Sequence, residues 1–275
     1  MKKNIGIQGI KGSFHHIVAN NFFGVDTNLR EYLSFDEMIF SLNKNSIDYA
    51  VMAIENSTAG SIIPNYALID EFDVSIVGEY YLQITHNLMA LKGQVIEDID
   101  EVQSHPMALL QCRDFFKNNS NITLIEEKDT AQIAKKIAKF KIKGLAAIAS
   151  ELASEIYDLE IIKDNIQTIK ENQTRFVILQ NGKLSKKDGV NKASIKFELD
   201  HKRGSLATIL NVLSDCKLNL TKIQSMPKIN SPWSYSFFVD VTFKNLKDYL
   251  KAKSIIEIMA SEFKVLGEYK NSKDD

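Results

Sequence analysis

Three short polar clusters hold the side chains best suited to chemistry. They are Glu55-Asn56-Ser57-Thr58-Ala59-Gly60, Ser104-His105-Pro106, and Asn172-Gln173-Thr174-Arg175 ahead of the apolar run Phe176-Val177-Ile178-Leu179. Their groups are hydroxyls, primary amides, one carboxylate, one imidazole and one guanidinium. Neutral donors with a cation suit the binding of an anion such as a carboxylate or phosphate. The run from Thr174 reads as a buried strand. Burying Arg175 at its start is costly unless a carboxylate meets it, from this chain or from a ligand.

Two of these clusters follow a stretch read as a strand. Tyr49–Ile54 precedes the first, Glu101-Val102-Gln103 the second, and the third opens its own strand. In open α/β sheets this edge is where ligands bind, close to helix N-termini that favour anions. The competing reading is that Ser57, Thr58 and Ser104 only cap helices.

Other chemistries find less support. Gly6, Gly9 and Gly12 run G-x-x-G-x-x-G, and Lys11-Gly12-Ser13 inverts the order of a phosphate loop, so no nucleotide site is expected. His15 and His16 are adjacent, and His86, His105 and His201 lack ligands at metal spacing, so no metal is expected. His201 reads as a surface residue. With 34 basic and 35 acidic residues, no basic excess argues for nucleic acid or an anionic membrane. The N-terminal Lys2-Lys3 pair precedes no long apolar run, and no stretch is long enough to span a bilayer, so the expected location is cytoplasmic. Cys112 and Cys216 fall in helical patterns of different domains and read as free core thiols.

The elements that position these clusters alternate. Ile5–Gln8 reads as a strand, followed by a helix from Ser13 to about Phe23. Ser34-Phe35-Asp36-Glu37 is a capping box opening another helix. Val74 to Leu91 reads as extended segments, Met107 to Lys117 as one helix, Ile122–Ile125 as a strand, and Asp129 as the cap of the next helix. Gly144–Ser150 and Leu159–Ile162 continue an α/β pattern. Residues 181–192 are polar and read as a linker. Beyond it, residues 193–270 follow the order β-α-β-β-α-β, a ferredoxin-like plan.

Taken in order, these segments resemble prephenate dehydratase with a C-terminal ACT regulatory domain. The carriers are Lys11-Gly12-Ser13-Phe14, Ile54–Gly60, His86-Asn87-Leu88, Ser104–Cys112, Asn172–Phe176, Gly204-Ser205-Leu206-Ala207, Asn219–Pro227 and Tyr235–Asp240. The resemblance implies an α/β dehydratase domain over residues 1–180, with two lobes like a type II periplasmic binding protein and a cleft between them. It implies conversion of prephenate to phenylpyruvate in phenylalanine biosynthesis, with no cofactor. Thr174, Asn56, Ser104 and Gln111 would be catalytic, and Glu55, Ser57, His105, Arg175 and Phe176 would contact substrate. Gln111, seven residues after Ser104, would look along the same helical face.

The ACT resemblance implies a homodimer or homotetramer and L-phenylalanine as effector, bound by Gly204, Ser205, Leu206, Asn219, Leu220 and Ser225. Gln224 and Met226 stand where the family has Glu and Arg, which sets feedback inhibition against an ACT domain kept only for dimerisation. Arogenate dehydratase and a non-catalytic aromatic-acid sensor are the alternatives.

Overall fold

A computed structural model describes residues 2–72, 74–182, 188–200, 202–228 and 235–273. His201 and the centre of the expected linker lie outside the described residues. The first half of the chain runs β1 (Asn4–Gln8), α1 (Phe14–Phe23), β2 (Asn28–Tyr32), α2 (Phe35–Asn43), β3 (Tyr49–Asn56), β4 (Gly60–Ser61), α3 (Ile63–Glu71), β5 (Val74–Gln83) and β6 (Asn87–Ala90). It continues through β7 (Glu101–Ser104), α4 (Pro106–Gln111), α5 (Arg113–Lys117), β8 (Thr123–Glu126), α6 (Thr130–Phe140), β9 (Leu145–Ala149), α7 (Glu151–Tyr157), β10 (Glu160–Lys163) and β11 (Gln173–Asn181). The last elements are β12 (Lys192–Glu198), α8 (Ser205–Asp215), β13 (Asn219–Pro227), β14 (Tyr235–Thr242), α9 (Leu246–Met259) and β15 (Glu262–Tyr269).

These elements form two compact units. One comprises Met1–Gly60 and Tyr81–Phe176, the other Ser61–Tyr80 and Val177–Asp275. The first unit holds two sheets. In one the order is β2-β1-β3 with the start of β11 beyond, and β1 pairs parallel with both β2 and β3. In the other the order is β10-β6-β9-β7-β8, with β7 parallel to its two neighbours and β6 antiparallel to its own. Strand β9 explains why the second sheet is buried on both faces. Leu145, Ala147 and Ala149 join Ile133 and Ile137 of α6 in one apolar cluster, and Ala146 and Ile148 join Leu109 and Phe116 in another.

Local chemistry sets the helix starts. Ser13, Ser34, Asp129 and Ser150 each accept a backbone N–H three residues on and cap α1, α2, α6 and α7. Gly12 must be glycine: its φ is 90° and an added Cβ would lie 3.0 Å from the Cα of Ala153. Met107–Lys117 is not one helix. The first turn begins at Pro106, and Cys112 (φ −99°, ψ 11°) separates α4 from α5.

In the second unit the C-terminal strands run β13-β14-β12-β15, all antiparallel, with β5 parallel beyond β15. Helices α8 and α9 cover one face, where Ala193, Ile195 and Phe197 meet Ile209, Leu213 and Ile256. This is the expected βαββαβ plan. The alternate residues of β12, Lys192, Ser194, Lys196 and Glu198, are also buried and meet a polar layer. Lys192 pairs with Glu79 of β5, both Nζ–Oε distances being 2.9 Å. Lys196 lies 2.8 Å from Asp70 of α3 and 2.9 Å from Glu262. Glu198 accepts from Ser236 at 2.8 Å and from Lys228 at 2.6 Å. Gly267 lets β15 approach β5, since a Cβ there would sit 2.5 Å from the carbonyl oxygen of Ile76.

Candidate active site

Asn56, the last residue of β3, is the anchor of a buried cluster in the first unit. Its Oδ1 accepts the backbone N–H groups of Thr58 (3.0 Å) and Ala59 (2.8 Å) and the Thr58 hydroxyl (2.7 Å). A backbone N–H can only donate, so these bonds fix which amide atom is oxygen. Asn56 Nδ2 must then donate, and it does so to Asn172 Oδ1 (2.7 Å) and Thr174 Oγ1 (2.9 Å).

The polarity propagates. Asn172 has its oxygen occupied, so its Nδ2 donates to Gln111 Oε1 (2.9 Å). Gln111 turns its Nε2 to Thr58 Oγ1 (2.9 Å). The second partner of Gln111 Oε1 is Nε2 of His86, at 2.8 Å. Four chain segments far apart in sequence thus meet through neutral groups, each with one allowed direction of donation.

Thr174 is buried, and its oxygen receives the Asn56 donor. Its hydroxyl hydrogen finds no protein acceptor among the described residues, so it remains available to an incoming oxygen. Accepting a hydrogen bond also strengthens a hydroxyl as a donor.

The other expected site residues divide. Ser57 ties β3 to β11: its N–H donates to Gln173 O at 2.8 Å, and its Oγ accepts from Gln173 N at 2.9 Å. Glu55 is half-buried at the end of β3. Ser104 is fully buried but donates to the carbonyl of Ile148 at 2.8 Å, across the sheet, and has no bond to the cluster. It ends β7, so it shares no helical face with Gln111. His105, not Ser104, caps α4, its Nδ1 accepting from Met107 N at 3.2 Å. Ser57 and Thr58 cap no helix either, since α3 starts after Ile62. Phe176 is a core residue with its ring 5.0 Å from that of His15. Strand alternation turns Arg175, 4% exposed, to the face of β11 opposite Thr174.

Three members of the cluster were not among the expected site residues: Thr58, His86 and Asn172. All sit in segments that carried the resemblance, and the polar side chains beside Asn56 and Thr174 were the available signal. No group of three or more potential metal ligands occurs among the described residues, and no described helix is long and apolar enough to cross a membrane.

In the second unit, Gly204 (φ 84°) is the N-cap of α8, which starts with Ser205 and Leu206. Asn219, Leu220 and Ser225 lie along β13, the edge strand of that sheet, with Asn219 and Ser225 exposed.

The first unit thus combines two α/β sheets with a buried neutral cluster whose Thr174 hydroxyl hydrogen has no acceptor among the described residues. A family model described as prephenate dehydratase matches residues 5–184. The chain is 33% identical over 278 residues to the bifunctional chorismate mutase/prephenate dehydratase of Buchnera aphidicola subsp. Acyrthosiphon pisum, covering 98% of this chain and 71% of that protein. It is 34% identical over 281 residues to arogenate dehydratase/prephenate dehydratase 2, chloroplastic, of Arabidopsis thaliana, covering 96% and 72%. This protein belongs to the prephenate dehydratase family. Among solved structures, prephenate dehydratase from Arthrobacter aurescens in complex with L-Phe superposes with a TM-score of 0.87 at 21% identity, covering 99% of this chain and 91% of that one. GqqA, described as a novel type of quorum quenching acylase, superposes at 0.89 with 24% identity, covering 99% and 100%. At such identities the superpositions speak to the fold alone.

Proposed function

We propose that this chain converts prephenate to phenylpyruvate, with Thr174 as hydrogen-bond donor to the departing ring hydroxyl. The C–O bond breaks as the ring carboxylate leaves as carbon dioxide, and the electron pair of that C–C bond completes the aromatic ring. One proton is taken up and water is released, so a dianion plus a proton becomes a monoanion, carbon dioxide and water. Aromatisation supplies the driving force. The enzyme's task is to orient the dianion and assist the hydroxyl's departure.

The observation that carries this reading is the bond from Asn56 Nδ2 to Thr174 Oγ1, which leaves the threonine hydrogen to donate outward. A threonine hydroxyl is a poor acid near neutral pH, so its contribution is a hydrogen bond that strengthens as negative charge develops on the leaving oxygen. Asn56 and Gln111 orient that donor and the substrate. Ser104 holds the end of β7 in place, with Glu55, Ser57 and His105 around the substrate, while Phe176 packs in the core behind Thr174. Arg175, on the other face of β11, acts on the substrate's charge and not on the leaving hydroxyl. The test is to mix the purified protein with prephenate at neutral pH and follow phenylpyruvate. Rapid formation supports the reading, and conversion no faster than the spontaneous rate contradicts it. Arogenate in a parallel reaction measures the preference between the two substrates.

The C-terminal βαββαβ unit is read as an ACT domain in a homodimer or homotetramer, with L-phenylalanine held near Gly204 and β13. Its support is the ferredoxin-like order and the exposed edge of β13, which a second copy can extend. Inhibition by L-phenylalanine at millimolar concentration supports feedback control; unchanged activity supports dimerisation as the domain's only role. The cytoplasm is the expected location.

A further inference from the structure

His86 is the one titratable member of the Thr174 cluster, and it comes from the short segment between β5 and β6. Three bonds brace it against Gln111. The N–H of Ile166 donates to His86 O at 2.8 Å, His86 N donates to Gln167 Oε1 at 3.0 Å, and the N–H of Thr168 donates to Gln111 O at 2.8 Å. One short segment, residues 166–168, therefore splints the backbones of both residues so that their side chains meet.

The direction of their contact follows from the cluster. Gln111 Oε1 must be oxygen, because Asn172 Nδ2 donates to it. Only a protonated Nε2 of His86 can meet that oxygen. The opposite tautomer would set a lone pair against it. His86 Nδ1 is then bare, and it is buried without a hydrogen-bond partner among the described residues. A proton added there would be buried with no acceptor, which disfavours the imidazolium. Burial is the main cause lowering the His86 pKa below its ordinary value; the bond to Gln111 opposes this, and nearby His105 adds to it.

We propose that His86 is a positioning residue for the dehydration: its neutral Nε2–H tautomer locks the side-chain amide of Gln111, and with it the donor direction that reaches Thr174 through Asn172 and Asn56. The backbone N–H groups of Thr58 and Ala59 fix this relay at one end, and His86 fixes it at the other. A relay fixed at both ends admits no amide flip that would turn an NH₂ group against its neighbour. The proposal rests on the assignment of Thr174 as the donor to the leaving group, and its first test does not need turnover.

Nitrogen-detected NMR of the full chain with ¹⁵N-labelled histidine reads the tautomer directly. The expected spectrum at neutral pH shows His86, identified by its loss in His86→Gln, with a protonated Nε2 and a bare Nδ1. An Nδ1–H tautomer or an imidazolium would overturn the proposal even if prephenate is turned over. In kinetics, His86→Phe keeps a ring but removes the donor, while His86→Gln offers a donor again. We expect kcat to fall about tenfold in His86→Phe, with KM within twofold of wild type, and to recover in His86→Gln to within about threefold. A merely structural role would lower thermal stability in both variants and leave kcat per folded molecule unchanged, and that result would overturn the proposal. If His86→Phe does not fold, the tautomer measurement and His86→Gln kinetics decide it.

Discussion

The protein buries polar side chains in two ways. Around Thr174 the cluster is neutral: two asparagines, a glutamine, two threonines and a histidine with its charge suppressed. On the C-terminal sheet the buried layer is ionic, with Lys192 on Glu79 and Lys196 among Asp70, Glu198 and Glu262. Amides hold direction without titrating and set no fixed carboxylate against a dianionic substrate. Ion pairs hold elements together strongly once both partners are present, but each leaves a costly charge if its partner is lost. In the proposed function, the neutral layer orients a reacting group. The ionic layer fastens α3 and β5 to the C-terminal strands within their unit.

Unmaking one ion pair should give the largest effect. Glu79→Ala leaves the Lys192 ammonium buried, and unfolding by denaturant should show a loss of about 3–5 kcal/mol. Replacing both residues, as Glu79→Leu with Lys192→Met, should recover most of that loss. If the double variant is no more stable than the single one, the layer is not held by this pairing.

Placing a carboxylate in the neutral layer is the complementary change. Asn56→Asp keeps an acceptor for Thr58 and Ala59 but removes both donors, to Asn172 and to Thr174. kcat should fall about 10²- to 10³-fold, and the melting temperature should also fall, because the second carboxylate oxygen is buried against Asn172 Oδ1. A variant that keeps near-normal kcat would break the contrast between the two layers.

A smaller effect sharpens it. His15, between Phe35 and Phe176, has its pKa pushed down to about 3 by burial. The unfolded chain binds a proton there near pH 6.5 while the folded one does not, so this contribution is present above that pH and is lost as pH falls toward 3. From pH 7 to pH 5, His15 alone should reduce stability by about 2 kcal/mol. Comparing His15→Leu with wild type at both pH values isolates it, and equal pH sensitivity in the two proteins would refute it. In the ionic layer, burial works to lower the Lys196 pKa, but Asp70 and Glu262 outweigh it and the net shift is upward. That contribution is present below the ordinary lysine pKa and is lost only as pH rises through the higher folded value, so Lys196 takes no part in the acid change.

Much of this architecture was legible in the sequence where local signals were strong. Ser34 and Asp129 announced their helices, and the order of the last six elements followed from hydrophobic periodicity. Strand β2 and helix α3 were not foreseen. Asn28–Tyr32 is a largely exposed polar strand with no alternation of burial. Helix α3 lacks a side-chain cap and buries Asn65 beside Tyr66, Leu68 and Ile69, so its apolar face is interrupted. The break at Cys112 carries no glycine or proline signal.

In the site, Asn56, Gln111 and Thr174 were foreseen through their motifs. Ser104 was grouped with them because nothing in the sequence reveals that its hydroxyl is taken by Ile148 on the adjacent strand. Thr58, His86 and Asn172 join the cluster by tertiary contacts that spacing alone does not disclose.

The central claim is that Thr174 assists the leaving hydroxyl as a donor aimed by Asn56. The most direct test is Thr174→Ala, with turnover of prephenate and substrate binding measured on the same preparation. The account predicts that kcat falls about 10²- to 10³-fold while the dissociation constant for prephenate changes less than about threefold. Turnover near that of the unaltered protein, or a loss explained wholly by weaker binding, would contradict it.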